Sequence, residues 1–225
     1  MENSGKLYVV TTPIGNYADM TIRGLRMLEQ SDIIVCEEFK EAARLLKHFG
    51  MRKELMNINE HNENESTKEV IEELMNGKLI SLISDCGTPG FSDPGNNLLN
   101  ECFARKIEVE FCGGSNSVMT ALVLSGFDIS RFYFRGFLSP KKDIRKEELS
   151  RLAHFERPVV IMEVPYRLNA ILEDISDALG ERNIFVGFDL TMQTEKQFRG
   201  SAGSILMKIG DNKLKGEFVI IIDKS

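Results

Sequence analysis

The sequence predicts an α/β protein folded as two lobes, and three observations carry that prediction. Short apolar runs alternate with helix-period segments from one end of the 225 residues to the other, which is the signature of strands interleaved with helices. Each run is strand-sized and bounded by turn residues. The small, Gly/Ser-rich stretch FCGGSNS at 111–117 falls near the middle and marks a boundary, with residues 1–113 in an N-terminal α/β lobe and 114–225 in a C-terminal one. No internal repeat or low-complexity tract interrupts the pattern.

In chain order, strands are expected at 7–11, 33–37, 79–84 and 107–112, then at 132–134, 159–163, 184–190 and 218–223. Helical periodicity lies between them. Ala42, Leu45, Leu46 and Phe49 follow the i, i+3, i+4, i+7 spacing, with Gly50 placed to end the helix. Ser66 and Glu69 have capping-box spacing just before Val70, Ile71 and Leu74. Asp93 and Pro94 read as N-cap and first helical residue. Leu168, Ile171, Leu172, Ile175 and Leu179 form one stripe closed by Gly180.

Composition narrows the class without naming an activity. Hydrophobic residues are 42% and charged residues 28%, with 28 Lys plus Arg against 34 Asp plus Glu, a formal charge of −6. That balance argues against a general nucleic-acid coat. No apolar run approaches the roughly 18 residues that span a bilayer. The start MENSGKLYVVTTPIG lacks a basic segment followed by a long apolar one, so no signal peptide, no membrane contact and a cytoplasmic location are expected. The cysteines (Cys36, Cys86, Cys102, Cys112) form no CxxC and suit reduced thiols. His48, His61 and His154 are too scattered for a zinc site, and no metal is expected.

Two loops stand out as places for chemistry. Thr11-Thr12-Pro13-Ile14-Gly15-Asn16 follows the first strand directly, and the carboxyl ends of strands are where open α/β sheets bind ligands. Gly15 permits close backbone approach and Pro13 stiffens the turn. It is not GxGxxG, and taken alone a Pro-Gly turn is usually structural. Ser84-Asp85-Cys86-Gly87-Thr88-Pro89-Gly90 also leaves a strand. Its exposed N–H groups and one carboxylate suit a polar ligand such as a nucleoside with a charged tail. The half of the segment around Asp93 reads instead as a structural cap.

Together these loops, LYVVTTPIGN and LISDCGTPGFSDPG, resemble the tetrapyrrole methylase superfamily of S-adenosylmethionine-dependent methyltransferases. Within it they are most similar to the bacterial branch that methylates a cytidine ribose 2′-oxygen in small-subunit ribosomal RNA. Further matches run in order along nearly the whole chain: Glu37-Glu38, Leu45-Leu46-Lys47-His48-Phe49-Gly50, His61-Asn62-Glu63, Thr120-Ala121-Leu122, Arg135-Gly136-Phe137-Leu138, the segment from Glu163 to Leu168, and Gly216-Glu217. The resemblance implies a two-lobed fold with S-adenosylmethionine as co-substrate in the cleft between lobes, and a homodimer. Donor contacts would map onto Pro13, Ile14 and Gly15; Asp85, Cys86, Gly87, Thr88 and Pro89; Thr120 and Ala121; the Met162 backbone; and Gly200, Ser201 and Ala202. A sulfonium gives up its methyl without metal or redox help, needing only an acceptor placed in line.

The chain departs from that branch at three places. Glu37-Glu38-Phe39-Lys40 stands for Glu-Asp-Thr-Arg, Gly113-Gly114-Ser115 for a proline-rich stretch, and Phe188-Asp189-Leu190-Thr191 for Arg-Glu-Leu-Thr. Two arginines expected near the acceptor are thus a lysine and a phenylalanine, which do not grip phosphate as arginine does. The small C-terminal extension of many branch members is also expected to be missing.

For an RNA partner, ribosomal RNA or the small subunit itself, charge patterning singles out 135–157. It holds seven basic and four acidic side chains, so everything outside it sums to −9. Lys141, Lys142, Arg145 and Lys146 read as a basic loop for phosphate, against the alternative of a solvated helix start. A ribose hydroxyl is a weak acid and benefits from a base, and Glu37 and Glu38 at a strand end are the candidates, with Lys40 beside them for phosphate. Glu163 and Arg167 occupy the matching strand end of the second lobe, as a substrate clamp or as an ion pair with each other. His61 is equally a turn residue. Two alternatives stay open: a corrin- or porphyrin-type small acceptor, and a relative that binds the donor without catalysing transfer.

Overall fold

The computed structural model describes residues 5–92, 94–210 and 214–225. The chain divides into two compact units, one ending at Asn116 and the next beginning at Ser117.

The first unit runs β1 (Lys6–Val10), α1 (Ile22–Gln30), β2 (Ile33–Cys36), α2 (Phe39–His48), β3 (Glu54–Asn57), α3 (Glu63–Met75), β4 (Leu79–Leu82), α4 (Asn96–Ala104) and β5 (Glu108–Cys112). Its five strands are ordered β3-β2-β4-β1-β5 and every pairing is parallel. Strand residues alternate between two apolar layers, as the two-residue period of a strand requires. Leu7, Val9, Ile33, Val35, Ile80 and Leu82 pack with Val70, Ile71 and Leu74 of α3 and with Leu98 and Cys102 of α4. Tyr8, Val10, Ile34 and Cys36 pack on the other face with Met27 and Leu28 of α1 and Ala42, Leu45 and Leu46 of α2. The connection leaving β1 therefore covers one face and that leaving β4 the other. β1 and β4 are neighbours, so their carboxyl ends flank the point where the chain reverses its winding. That is where a doubly wound sheet opens a crevice.

The second unit runs α5 (Ser117–Ser125), β6 (Tyr133–Phe137), α6 (Lys142–Leu152), β7 (Val159–Glu163), α7 (Leu168–Leu179), β8 (Ile184–Phe188), β9 (Lys196–Gly200), α8 (Ala202–Ile209) and β10 (Phe218–Ile222). Its sheet, β6-β7-β10-β8-β9, is mixed: β6 and β7 are parallel and every other neighbour is antiparallel. Helices α6, α7 and α8 bury Leu149, Leu152, Leu172, Ile175 and Ile205 against Ile161, Val186 and Ile220. Helix α5 lies along β8 and β10.

Several expectations are corrected. Strands β3 and β9 escape the sequence pattern because ELMN is short and KQFRG is largely polar; both are sheet edges, where polar residues are tolerated, and KQFRG is exposed at Lys196, Gln197 and Arg199. The Ser66–Glu69 capping box is not a helix start. α3 begins at Glu63, and Ser66 is buried inside it. The turn ahead of it is built by asparagine instead, with Asn59 Oδ1 accepting from the His61 and Asn62 amides at 2.9 and 3.2 Å. Helix α4 begins at Asn96 behind Gly95, two residues beyond Pro94, and Asp93 lies outside the described residues. Its first amides are capped from a distance, since Glu63 Oε1 accepts from the Gly95 and Asn97 N–H groups at 3.0 and 3.3 Å. The basic 141–146 segment is not a loop but the start of α6.

Candidate functional site

The carboxyl end of the first sheet gathers four loops, and hydrogen bonds stitch them together. The Thr12 amide donates to the Gly87 carbonyl at 2.8 Å. Thr12 Oγ1 donates to the Ser84 carbonyl at 3.1 Å and accepts from the Gly87 amide at 3.1 Å. Thr11 N donates to the Cys112 carbonyl at 3.1 Å, and Asn116 Nδ2 reaches Thr88 Oγ1 at 3.4 Å. Asp85 Oδ1 accepts from the Glu38 amide at 3.1 Å, which ties the start of α2 to the loop after β4. The structure thus brings Pro13, Ile14, Gly15, Asp85, Cys86, Gly87, Thr88 and Pro89 into one place, with Glu37 and Glu38 beside them.

Glycine is required at two points of this assembly. Gly87 has φ +89°, and a Cβ there would sit 3.4 Å from the Ile14 methyl. A Cβ on Gly114 would sit 3.2 Å from Thr11 Cβ, a close approach that favours glycine at 114. Pro13, Ile14, Gly87 and Pro89 are buried, while Gly15, Asp85 and Cys86 are exposed. Although Asp85 is exposed as a residue, partial desolvation of its carboxyl, with the neighbouring carboxylates of Glu38 and Glu41, pushes it above its usual range, against the lowering effect of the Glu38 amide.

Two hydroxyls at this edge lack a partner. Thr11 Oγ1, just after β1, and Ser84 Oγ, just after β4, are buried without a hydrogen bond. A buried polar group left unpaired is costly, and a polar ligand seated on the loops would satisfy them. A nucleoside carrying an amino-acid tail and a sulfonium fits this set of hydroxyls and one carboxylate.

The second unit holds the remaining candidates. Thr120 and Ala121 lie on α5 with Ala121 fully buried. Met162 is in register with Phe137 on one side and Val219 on the other. Gly200, at φ +132°, leaves room for the Ser204 hydroxyl, Ser201 precedes α8 as its N-cap, and Ala202 is fully buried. Glu163 and Arg167 are joined, Nη1 to Oε1 at 3.2 Å, with Glu163 buried at the end of β7; they form the ion pair rather than standing free as a clamp. Phe188, where the resembling branch has arginine, is a core residue only 3% exposed.

Four of the seven cations at 135–157 are paired, two of them with carboxylates of α7. Arg145 is buried, its Nε 2.7 Å from Asp174 Oδ2 and its Nη1 donating to the Ser139 and Pro140 carbonyls, so it is a framework residue and not a phosphate ligand. Arg135 pairs with Glu148 at 2.6 Å, Lys146 with Asp177 at 3.1 Å and Arg151 with Glu147 at 2.6 Å. Lys141 and Lys142 are exposed and make no ion pair among the described residues. Sequence reading missed the orphaned hydroxyls of Thr11 and Ser84, which carry no signal until strand ends are brought together. His61 is a turn residue. No three His, Cys, Asp or Glu side chains gather in a metal-binding group among the described residues.

The fold places the chain in a structural class first. It superposes with a TM-score of 0.73 on a cobalamin biosynthetic enzyme, cobalt precorrin-4 methyltransferase, over 97% of this chain and 94% of that one at 15% identity. Residues 6–206 match the family described as Tetrapyrrole (Corrin/Porphyrin) Methylases, and the chain belongs to it. Among curated relatives, the ribosomal RNA small subunit methyltransferase I of Synechocystis sp. is 39% identical over 97% of this chain and 78% of its own length. The protein of the same name from Thermotoga maritima is 36% identical over 97% and 98%.

Proposed function

We propose that the protein is an S-adenosylmethionine-dependent methyltransferase that modifies a ribose 2′-oxygen in small-subunit ribosomal RNA, working in the cytoplasm as a homodimer. The observation that carries the reading is similarity along nearly the whole chain to proteins named for that RNA, 39% and 36% identical. The stitched loops of the first unit support it. Hydroxyls, amides and a carboxylate converge where a doubly wound sheet binds its ligand.

In this reading Pro13, Ile14, Gly15 and Asp85 through Pro89 hold the donor, with Thr120, Ala121, Met162, Gly200, Ser201 and Ala202 as the second unit's contribution. The bound donor supplies an electrophilic methyl, and the protein's task is to orient an acceptor and take its proton. Glu37 and Glu38, tied to the donor loop through the Glu38 amide, are the carboxylates placed to accept that proton. Lys40 contacts substrate phosphate, and Lys141 and Lys142, exposed and without an ion pair among the described residues, do the same. Glu163 and Arg167 act as a pair that shapes the acceptor side.

The test is transfer of labelled methyl from S-adenosylmethionine to small ribosomal subunits lacking the modification, followed by mapping of the labelled nucleotide. Label on a ribose of small-subunit RNA is the expected outcome. Label in neither RNA nor subunits would sink the RNA assignment, and a folded protein that binds no donor at micromolar concentration would sink the methyltransferase one.

A further inference from the structure

Besides Lys141, Lys142 and Arg157 in the 135–157 stretch, exposed and unpaired positive charge among the described residues gathers on α2 and the turn behind it. Residues 40–53 contain five basic side chains and one acidic one. Lys40, Arg44 and Lys47 recur at i, i+4 and i+7, which puts them on one face of the helix, and all three are exposed. Arg52 follows, also exposed, and shares with Lys47 a concave groove of about 370 Å³ whose floor includes Leu46 and Leu55. Glu41 is the one acidic residue of α2, and it takes only Arg44, at 2.6 Å. Lys40, Lys47 and Arg52 make no ion pair or side-chain hydrogen bond among the described residues. Lys53 is committed elsewhere, its Nζ donating to the Glu29 and Ser31 carbonyls at 2.5 and 2.8 Å.

The head of this stripe is anchored at the donor loop. Asp85 Oδ1 holds the Glu38 amide, and Glu38 is the N-cap of α2. Phe39, the first helical residue, is 51% exposed. An aromatic ring open to solvent is a stacking platform for an unpaired base, and a row of unpaired cations matches a phosphate backbone. From Lys40 to Lys47 the helix rises about 10 Å, long enough to meet more than one phosphate.

We infer that the face formed by Phe39, Lys40, Lys47 and Arg52 is the track along which the RNA backbone runs to deliver its ribose to the loops after β1 and β4. The inference rests on the ribosomal RNA reading and adds the strand's path. Binding energy along this track comes from phosphate contacts and base stacking, neither of which depends on base identity, so the track orients the substrate without selecting the nucleotide.

Binding of unmodified small-subunit ribosomal RNA, measured between 50 and 200 mM salt, tests it. The double variant K47E/R52E is compared with R105E/R151E, which makes the same change in net charge at two exposed arginines already paired with Glu101 and Glu147. K47E/R52E is expected to lose about tenfold or more in RNA affinity at low salt. Its log-log salt slope should flatten by about 1.5, the share of two phosphate contacts, with S-adenosylmethionine affinity unchanged. R105E/R151E should stay within about twofold of the unaltered protein in both readouts. If K47E/R52E fails to hold S-adenosylmethionine, K47Q/R52Q replaces it and is read the same way. A stripe variant that tracks the control while the unaltered protein binds RNA overturns the track alone. An unaltered protein that neither binds nor methylates this RNA overturns the ribosomal RNA reading and the track with it.

Discussion

The two units bury different kinds of polar group. In the first, the described buried polar residues are all hydroxyls: Thr11, Thr12, Ser31, Ser66, Thr67, Ser81 and Ser84. In the second, charges go inside, with Arg145, Glu163 and Asp174 all nearly excluded from solvent. The difference follows from what each sheet asks of its surroundings. A parallel sheet sends every carboxyl end to one edge, where Thr11, Thr12 and Ser84 let loops close over it and leave polar valence for a ligand. A mixed sheet has no such common edge, and its helices are pinned by long-range ionic bonds instead. Arg145 joins α6 to Asp174 of α7 and to the Ser139–Pro140 carbonyls in one residue.

That contrast can be broken experimentally, beginning where the effect is largest. Arg145→Ala strands a buried carboxylate and should cost about 3–5 kcal/mol, read as a lower midpoint in chemical denaturation. Lys146→Ala, which breaks the exposed pair with Asp177, should cost under about 1 kcal/mol. Equal costs would mean the second unit does not depend on its buried ions.

In the first unit the consequence should appear in ligand binding. Asp85→Asn removes the one carboxylate of the donor loop and should weaken S-adenosylmethionine binding by about tenfold or more in calorimetry, the scale of a charge-assisted hydrogen bond. The same variant tests the sign of its titration. Because the folded carboxyl is raised above the ordinary value of 3.8, Asp85 contributes stability that is complete below that value and lost as pH rises through the folded one. Asp85→Asn should remove this decline; an unchanged stability profile would show that Asp85 is not desolvated.

Gly87→Val forces a β-branched residue to positive φ and should cost about 1–2 kcal/mol, seen as weaker donor binding and a small fall in melting temperature. The mildest perturbation is chemical. Cys86 is the exposed thiol of the four, whereas burial pushes Cys36 up to about 12 and Cys102 up to about 11. A thiol reagent should therefore modify Cys86 first, and S-adenosylmethionine should slow that reaction. Identical rates with and without donor would remove Cys86 from the donor loop's contacts.

Legibility in the sequence tracked burial. Strands such as β1, β2, β4, β7, β8 and β10, covered on both faces, announce themselves as apolar runs. The edge strands β3 and β9 do not, because one is short and the other largely polar, whereas the edge strands β5 and β6 keep enough apolar residues to be found. The helix stripe ending at Gly50 and the one ending at Gly180 are found as read, with both glycines at positive φ. The start of α3 was misplaced because Ser66 and Glu69 have capping spacing inside a helix whose real start is set by Asn59. The loops after β1 and β4 stood out because their glycines and prolines exceed what turns require. The fate of the basic residues was not, since Arg145 and Lys146 are adjacent in sequence and only one of them is buried.

By itself the sequence determined the α/β class, the alternation of elements and the loops that leave β1 and β4, because these depend on local periodicity and on residues with special backbone freedom. Which charges are free was decided only by tertiary structure. Asp174 and Glu148 lie 29 and 13 residues from the arginines they neutralise, and no local pattern encodes such distances. Folding pairs Arg135, Arg145, Lys146 and Arg151 of the 135–157 stretch and leaves Lys40 and Lys47 of α2 exposed without an ion pair. The cation count is a property of the chain, while the surface that meets a phosphate is a property of its packing.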